Sequence, residues 1–291
     1  MPALIDLRRR IRSIRNTQQI TQAMKTVATA RLKRFQRIVL RTRPYWHATP
    51  SFFAQVAKID EGSLHPLLQP RAENRVMVVV ITSDKGLCGA FNANLLERTW
   101  DFLNNKSSRA QIKLALVGKK AILFFKHRPD YPVVWSCLNH QEKETVGNLK
   151  SLTKNLMEMF LIHQVDAVYV AYNEFKSILA PLISFPRLLP IGDFVSQEGS
   201  AKEDGFVGRC WEPQAFEILD KLLPAYVEYQ MAHFYYESLA AEQAARMMAM
   251  ENASQNAEEL ISELTLVMNK IRQASITKEL LEIMTAVEAL K

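Results

Sequence analysis

The sequence predicts an α/β fold with long terminal helices: the N- and C-terminal helices pair as an antiparallel coiled coil, and an α/β domain is inserted between them. Three observations predict it. The last 67 residues, 225–291, contain neither proline nor glycine. The two ends of the chain carry opposite charge over apolar stripes of similar spacing. Between them, apolar runs of strand length alternate with helical patterns.

Length and composition fit this reading. A chain of 291 residues holds one large domain or two modest ones. Only nine residues are glycine, well below the usual ~7%, and scarce glycine favours helix over turns. Cys88, Cys137 and Cys210 share no short spacing, so reduced thiols in a cytosolic compartment are expected rather than a metal cage or disulfide framework. The six histidines form no pair at i, i+4 and no cluster with acids, and read as structural or surface groups. The opening MPALIDLRRRIRSIR lacks the apolar core and cleavage site of a secretory signal. No run reaches the ~18 apolar residues of a membrane span. A protein that is soluble, or peripheral to a membrane, is expected.

The C-terminal arm is rich in Ala, Glu, Leu, Met and Gln, all good helix formers. One helix over 225–291 exceeds ordinary globular lengths and points to a coiled coil. Ala257, Ile261, Leu264, Met268 and Ile271 step by four and three. After a jump of five the pattern resumes at Ile276, Leu280, Ile283, Val287 and Leu290. Upstream, Ala240, Ala241, Ala244 and Ala245 leave room for a partner helix to approach.

The N-terminal arm shows the same spacing in Leu4, Leu7, Ile11 and Ile14. Ile20, Met24 and Val27 follow after a break, then Leu32, Phe35 and Val39. Pro44 is expected to kink or end this helix, because proline removes the bond to the Leu40 carbonyl; the stretch from Pro44 to Pro70 has room for more helix. Residues 1–43 hold ten Arg, two Lys and one Asp, whereas residues 225–291 hold five Lys plus Arg against ten Glu. An isolated amphipathic helix needs its apolar face covered, and oppositely charged arms cover each other best when paired antiparallel. The acidic arm is longer, so its end should project beyond the partner.

Between the arms, Val76–Ile81 reads as a fully buried parallel strand. A helix near Asn92–Leu103, a strand near Gln111–Val117 and a helix near Lys119–Lys126 follow. Val133 and Val134 mark a short strand, Glu144–His163 a helix and Ala167–Ala171 a further strand. This alternation implies a parallel sheet, Rossmann-like in layout. The segments are a coiled-coil helix over 1–60, the α/β domain over 75–195 and a second coiled-coil helix over 212–291.

The turn Thr82–Gly89 occupies the place where phosphates often bind, after a first strand and before a helix. It has neither GxGxxG nor GxxxxGK[ST] spacing, and Gly118-Lys119-Lys120 lacks a P-loop's upstream glycine. A structural turn is the reading it supports, with no cofactor and no metal. Twelve basic residues on one helix also fit a basic coiled-coil nucleic-acid-binding protein. That alternative leaves Ile11, Ile14, Ile20, Met24 and Val27 exposed, so a partner-facing basic surface is favoured. A nucleotide-dependent α/β enzyme is the other rival.

Three blocks are specific enough to name a family. They are Ile11–Lys25 (IRSIRNTQQITQAMK), Thr82–Asn92 (TSDKGLCGAFN), and Glu242–Met247 (EQAARM) continuing to Asn269–Leu280 (NKIRQASITKEL). Through them the chain resembles the gamma subunit of F-type ATP synthases, bacterial type, along nearly its whole length. The resemblance implies a non-catalytic rotor, the central stalk, inside a ring of three alpha and three beta subunits. It implies a foot on the epsilon subunit and the membrane c ring. The complex would sit at the inner (plasma) membrane, with this chain peripheral on the cytoplasmic side. It assigns Met24, Lys25, Arg272, Gln273 and Thr277 to the beta subunit, and Arg209, Trp211 and Glu212 to the epsilon and c-ring contact. Ala286-Val287 stand where the family usually has Gly-Ala.

Overall fold

A computed structural model describes residues 2–59, 65–108, 110–139, 142–177, 181–191 and 215–288. They belong to two units: residues 1–29 with 246–291, and residues 30–245. Helix α1 spans Pro2–Ile59 and α5 spans Ala215–Glu288. The expected stop at Pro44 does not occur, since α1 continues through Pro44 and Pro50. A proline costs one hydrogen bond and some crowding, but the turns on both sides keep theirs, and a long helix absorbs the loss. Pro224 is likewise interior to α5.

The first unit is a two-helix coil. The positions of α1 that lose solvent step regularly through Leu4, Leu7, Ile11, Ile14, Gln18, Thr21, Lys25 and Ala28. This corrects the stripe read from the sequence, because Ile20 and Val27 are 60% and 53% exposed. The apparent break arose from counting apolar residues alone. Gln18, Thr21 and Lys25 continue the three-four spacing with polar side chains, and Thr21 satisfies its hydroxyl by donating to the Gln18 carbonyl at 2.9 Å.

On α5, Ala257 is buried, and Ile261, Leu264, Met268 and Ile271 are half-buried. Lys25 forms an ion pair with Glu251, and Ser254 Oγ donates to Gln22 Oε1 at 3.5 Å. Numbers fall on one helix as they rise on the other, so the pair is antiparallel. Carried along both helices at equal rise per residue, this register runs out of α1 near Ala274. Beyond that point Ile276, Leu280, Ile283 and Val287 are all exposed; Leu290 lies outside the described residues.

The second unit is built on a sheet. Its strands are β1 (Arg75–Ile81), β2 (Gln111–Val117), β3 (Val133–Cys137), β4 (Ala167–Glu174), β5 (Leu182–Ser184) and β6 (Arg187–Leu189). Their order is β3-β2-β1-β4-β5, with β6 also on β4. Strand β1 pairs parallel with both β2 and β4, which is why its valines are buried on both faces. Strands β5 and β6 run antiparallel to β4, so the sheet is mixed rather than wholly parallel. Three residues each, set among Pro181, Pro186 and Pro190, are too short to show a strand period.

Helices α2 (Phe91–Ser107) and α3 (Lys119–Lys126) pack on Val76, Val78 and Val80 through Leu95, Leu103, Ala121 and Phe125. Helix α4 (Glu142–Leu161) buries Leu149, Leu152, Leu156 and Phe160. At the start of β1, Asp166 accepts from the Arg75 backbone N at 2.9 Å, from Nε at 3.2 Å and from Nη2 at 2.9 Å. The Arg75 guanidinium holds the Asp166 carboxyl below its ordinary range.

Candidate partner-binding surfaces

The strand-end turn is the first candidate. In a doubly wound sheet, ligands enter the crevice at the carboxyl ends of the strands where the order reverses. Here that crevice lies between β1 and β4, and it is filled by protein. Ala241 of α5 packs on Cys88 and Phe91, with Phe175 and Ala245 beside them. The small residues Ala241 and Ala245 thus let α5 approach the turn of its own α/β domain.

Thr82 and Ser83 of the turn are buried and Asp84 half-buried, whereas Lys85 is exposed. Ser83 N and Oγ both bond Asn92 Oδ1 at 3.1 Å. Thr82 Oγ1 donates to the Val117 carbonyl and accepts from Ala121 N, each at 3.0 Å. Asp84 Oδ1 accepts from Lys119 N at 2.7 Å and Asn139 N at 3.0 Å. A carboxylate in this position opposes phosphate, and two donors that would meet one are engaged. Gly118 is required here: its φ is 95°, and a Cβ would sit 2.2 Å from the Thr82 carbonyl oxygen. Beside the turn a groove of about 630 Å³ opens between α2 and α3. Its Arg128 lies on the faces of Phe124 and Trp100, 3.8 and 5.3 Å from the ring centres.

Cys88 and Cys137 are free thiols. Burial first, then the charges of Asp84 and Glu144, pushes the Cys137 thiol up to about 12; Cys210 lies outside the described residues. The histidine reading needs correction, because two of the six do meet acids. His233 Nε2 is 3.3 Å from Glu237 Oε1, one helical turn on, and His65 Nε2 is 3.5 Å from Asp220 Oδ1. These pairs join positions that look unremarkable in sequence, and each ties an element to α5 or holds α5 internally.

The residues assigned to the beta subunit fall on the coil. Met24 and Lys25 are half-buried on α1, and Lys25 is already paired with Glu251. Arg272, Gln273 and Thr277 are exposed on α5, close to where the covered stripe ends. Thr277 Oγ1 donates to the Gln273 backbone carbonyl at 3.0 Å, and the Gln273 side chain is not engaged by that bond. Arg272 has no ion-pair partner among the described residues. Met24–Lys25 and Arg272–Thr277 belong to one unit and present a cation on each helix. Arg209, Trp211 and Glu212 lie outside the described residues.

Sequence reasoning missed a further contact. Tyr235 of α5 is fully buried and donates to Asn139 Oδ1 at 2.6 Å. Nothing in the spacing of two residues 96 positions apart announces it. The outward faces of Ile20 and Val27 were legible in principle, had Gln18, Thr21 and Lys25 been counted as continuing the seam.

Comparison with known proteins places this geometry. The chain matches the family described as ATP synthase over residues 3–290. It is 41% identical to the ATP synthase gamma chain of Anaeromyxobacter sp. (strain Fw109-5) and 40% identical to that of Pelotomaculum thermopropionicum, with all of both chains covered in each case. It is 38% identical to the ATP synthase gamma chain of Geobacter metallireducens, again over the whole of both chains. Among solved structures, the rotor of the Euglena gracilis mitochondrial ATP synthase superposes with a TM-score of 0.64 at 19% identity, covering 94% of this chain and 99% of that one. The central stalk and c-ring structure of the Tetrahymena thermophila enzyme gives 0.59 at 22% identity, covering 81% and 99%. These structural likenesses, at identities of 19% and 22%, bear on the fold alone. Nothing among these relatives supports the nucleic-acid reading. Likeness to gamma chains along the entire length, joined to this fold, means that the chain belongs to the ATP synthase gamma chain family.

Proposed function

We propose that this chain is the central stalk, or rotor, subunit of a rotary ATP synthase. It couples ion-driven rotation of a membrane c ring to conformational cycling of catalytic beta subunits. The observation that carries this reading is identity of about 40% with gamma chains over their full length. The apolar, uncovered end of α5 from Ile276 to Val287 suits a helix that other subunits enclose. No helix among the described residues is long and apolar enough to cross a membrane, which suits attachment through the complex.

In this reading three alpha and three beta subunits surround the coil formed by 1–60 and 212–291. Met24, Lys25, Arg272, Gln273 and Thr277 contact beta. The domain over 75–195, with Arg209, Trp211 and Glu212, meets epsilon and the c ring. Chemistry belongs to beta, so the chain is non-catalytic and takes no cofactor of its own. It resides peripherally on the cytoplasmic side of the inner membrane. Co-expression of the tagged chain with alpha and beta tests this: three of each should copurify with every copy. Recovery of the chain alone, or with nucleic acid, overturns it.

A further inference from the structure

The crevice at the switch point of the sheet holds α5, and one hydroxyl of α5 reaches the ends of three strands. Tyr235 donates to Asn139 Oδ1 at 2.6 Å, and Asn139 follows β3. The Asn139 backbone N donates to Asp84 Oδ1 at 3.0 Å, and its Nδ2 approaches the Thr82 carbonyl at 3.5 Å; both follow β1. Asp84 also accepts from Lys119 N, just past β2, at 2.7 Å. Elsewhere α5 meets the domain through side-chain pairs, Asp220 with His65, Glu228 with Lys150 and Glu237 with Tyr172, and through apolar and aromatic contacts. Ala241 lies on Cys88 and Phe91, and the Phe234 ring is 4.8 Å from Tyr172.

Apolar contacts resist separation but are non-directional, so they hold two surfaces together while tolerating a slide. A buried hydrogen bond into a network that joins three strand ends is directional and rigidifies the arrangement. We propose that Tyr235 is a positioning residue that locks α5 in the crevice at the switch point and keeps it from slipping against the α/β domain under rotational load. This rests on the rotor reading. It gives the crevice a permanent occupant from the same chain and assigns Asn139 and Asp84 as the other half of the lock.

The test uses the complete reconstituted complex in vesicles. Tyr235→Phe keeps the ring and removes only the hydroxyl. Assembly and ATP hydrolysis without a gradient should match wild type, while ATP-driven ion pumping against an established gradient should fall about threefold. Removing one partner strands the other, but replacing both by apolar groups restores stability. The double variant Tyr235→Phe with Asn139→Leu should therefore recover the thermal midpoint and still pump poorly. Normal pumping in the single variant overturns the proposal. So does recovery of pumping together with the midpoint in the double variant, since the bond would then serve stability alone. If the single variant fails to assemble, the double variant decides. Failure of the wild-type chain to join alpha and beta would instead remove the rotor reading, a separate outcome seen before any variant is made.

Discussion

Lys25 of α1 is paired with Glu251 of α5, and this contact sets the register of the coil. Moving three residues back on α1 and three forward on α5 reaches the next contact, Gln22 with Ser254. Cysteines at Gln22 and Ser254 should therefore crosslink readily under mild oxidation. Cysteines at Gln22 and Gln273 should not, because equal rise along both helices puts them about 28 Å apart. Crosslinking of the second pair in preference to the first contradicts the antiparallel register.

Both residues of the Lys25–Glu251 pair keep about a third of their surface in solvent, so the pair contributes at most about 1 kcal/mol to the coil. Its larger consequence is that Lys25 has two candidate partners, Glu251 within the chain and an acidic group on beta. The charge swap Lys25→Glu with Glu251→Lys separates them. It should restore the thermal midpoint of the isolated chain but leave assembly with alpha and beta impaired. Arg272→Ala with Gln273→Ala should lower assembly or coupled synthesis by the same assay, and Glu258→Ala with Glu259→Ala should not. Full assembly of the swapped chain would place Lys25 in the coil only.

Gly118 stands where backbone conformation and space both exclude a side chain. Substitution by alanine must push the Thr82 carbonyl away, and that displaces the N–H of Thr82 from the Val117 carbonyl, 2.8 Å away. We expect Gly118→Ala to cost about 3 kcal/mol or more, read as a lower urea midpoint. Gly86, with open space around its Cβ position, should tolerate alanine within about 1 kcal/mol.

Much of the fold was legible because its signals are local. The run Val76–Ile81 needs two neighbours, and β1 has them; the bounds of β2 and α3 follow from Gly118, a single residue between them. What could not be read was decided at a distance. The short antiparallel strands β5 and β6 exist because β4 offers them an edge. Lys25 lies half-buried in the seam because α5 brings Glu251 to it, a partner 226 positions away. Of the candidate site, the half-buried Lys25 and the exposed Arg272 were visible as charge and spacing. The Tyr235–Asn139 bond was not, because neither residue type nor position marks a contact between a strand end and a remote helix.

Acid should weaken the second unit through two groups. Burial holds His65 below the usual histidine range, against the opposing pull of Asp220. Between that lowered value and about 6.5 the unfolded chain binds more protons than the folded one, so stability falls as pH drops through that window. Asp166, depressed by the Arg75 guanidinium, contributes stability above about 3.9 that is lost as pH falls through its lower folded value. His65→Asn should flatten the loss of urea midpoint between about pH 7.5 and about pH 5.5. Asp166→Asn should cost about 1–2 kcal/mol at neutral pH and leave that slope in place. Equal slopes in wild type and His65→Asn would show that His65 does not titrate with unfolding.

In the rotor reading this chain turns while other subunits do the chemistry. Complexes of the tagged chain with alpha and beta can be fixed to a surface through beta, with a bead attached to a cysteine introduced into the α/β domain. Stepwise rotation of the bead in one direction is expected when ATP is added, stopping when this chain is crosslinked to beta. Sustained ATP hydrolysis with a stationary bead, undiminished by that crosslink, would contradict it.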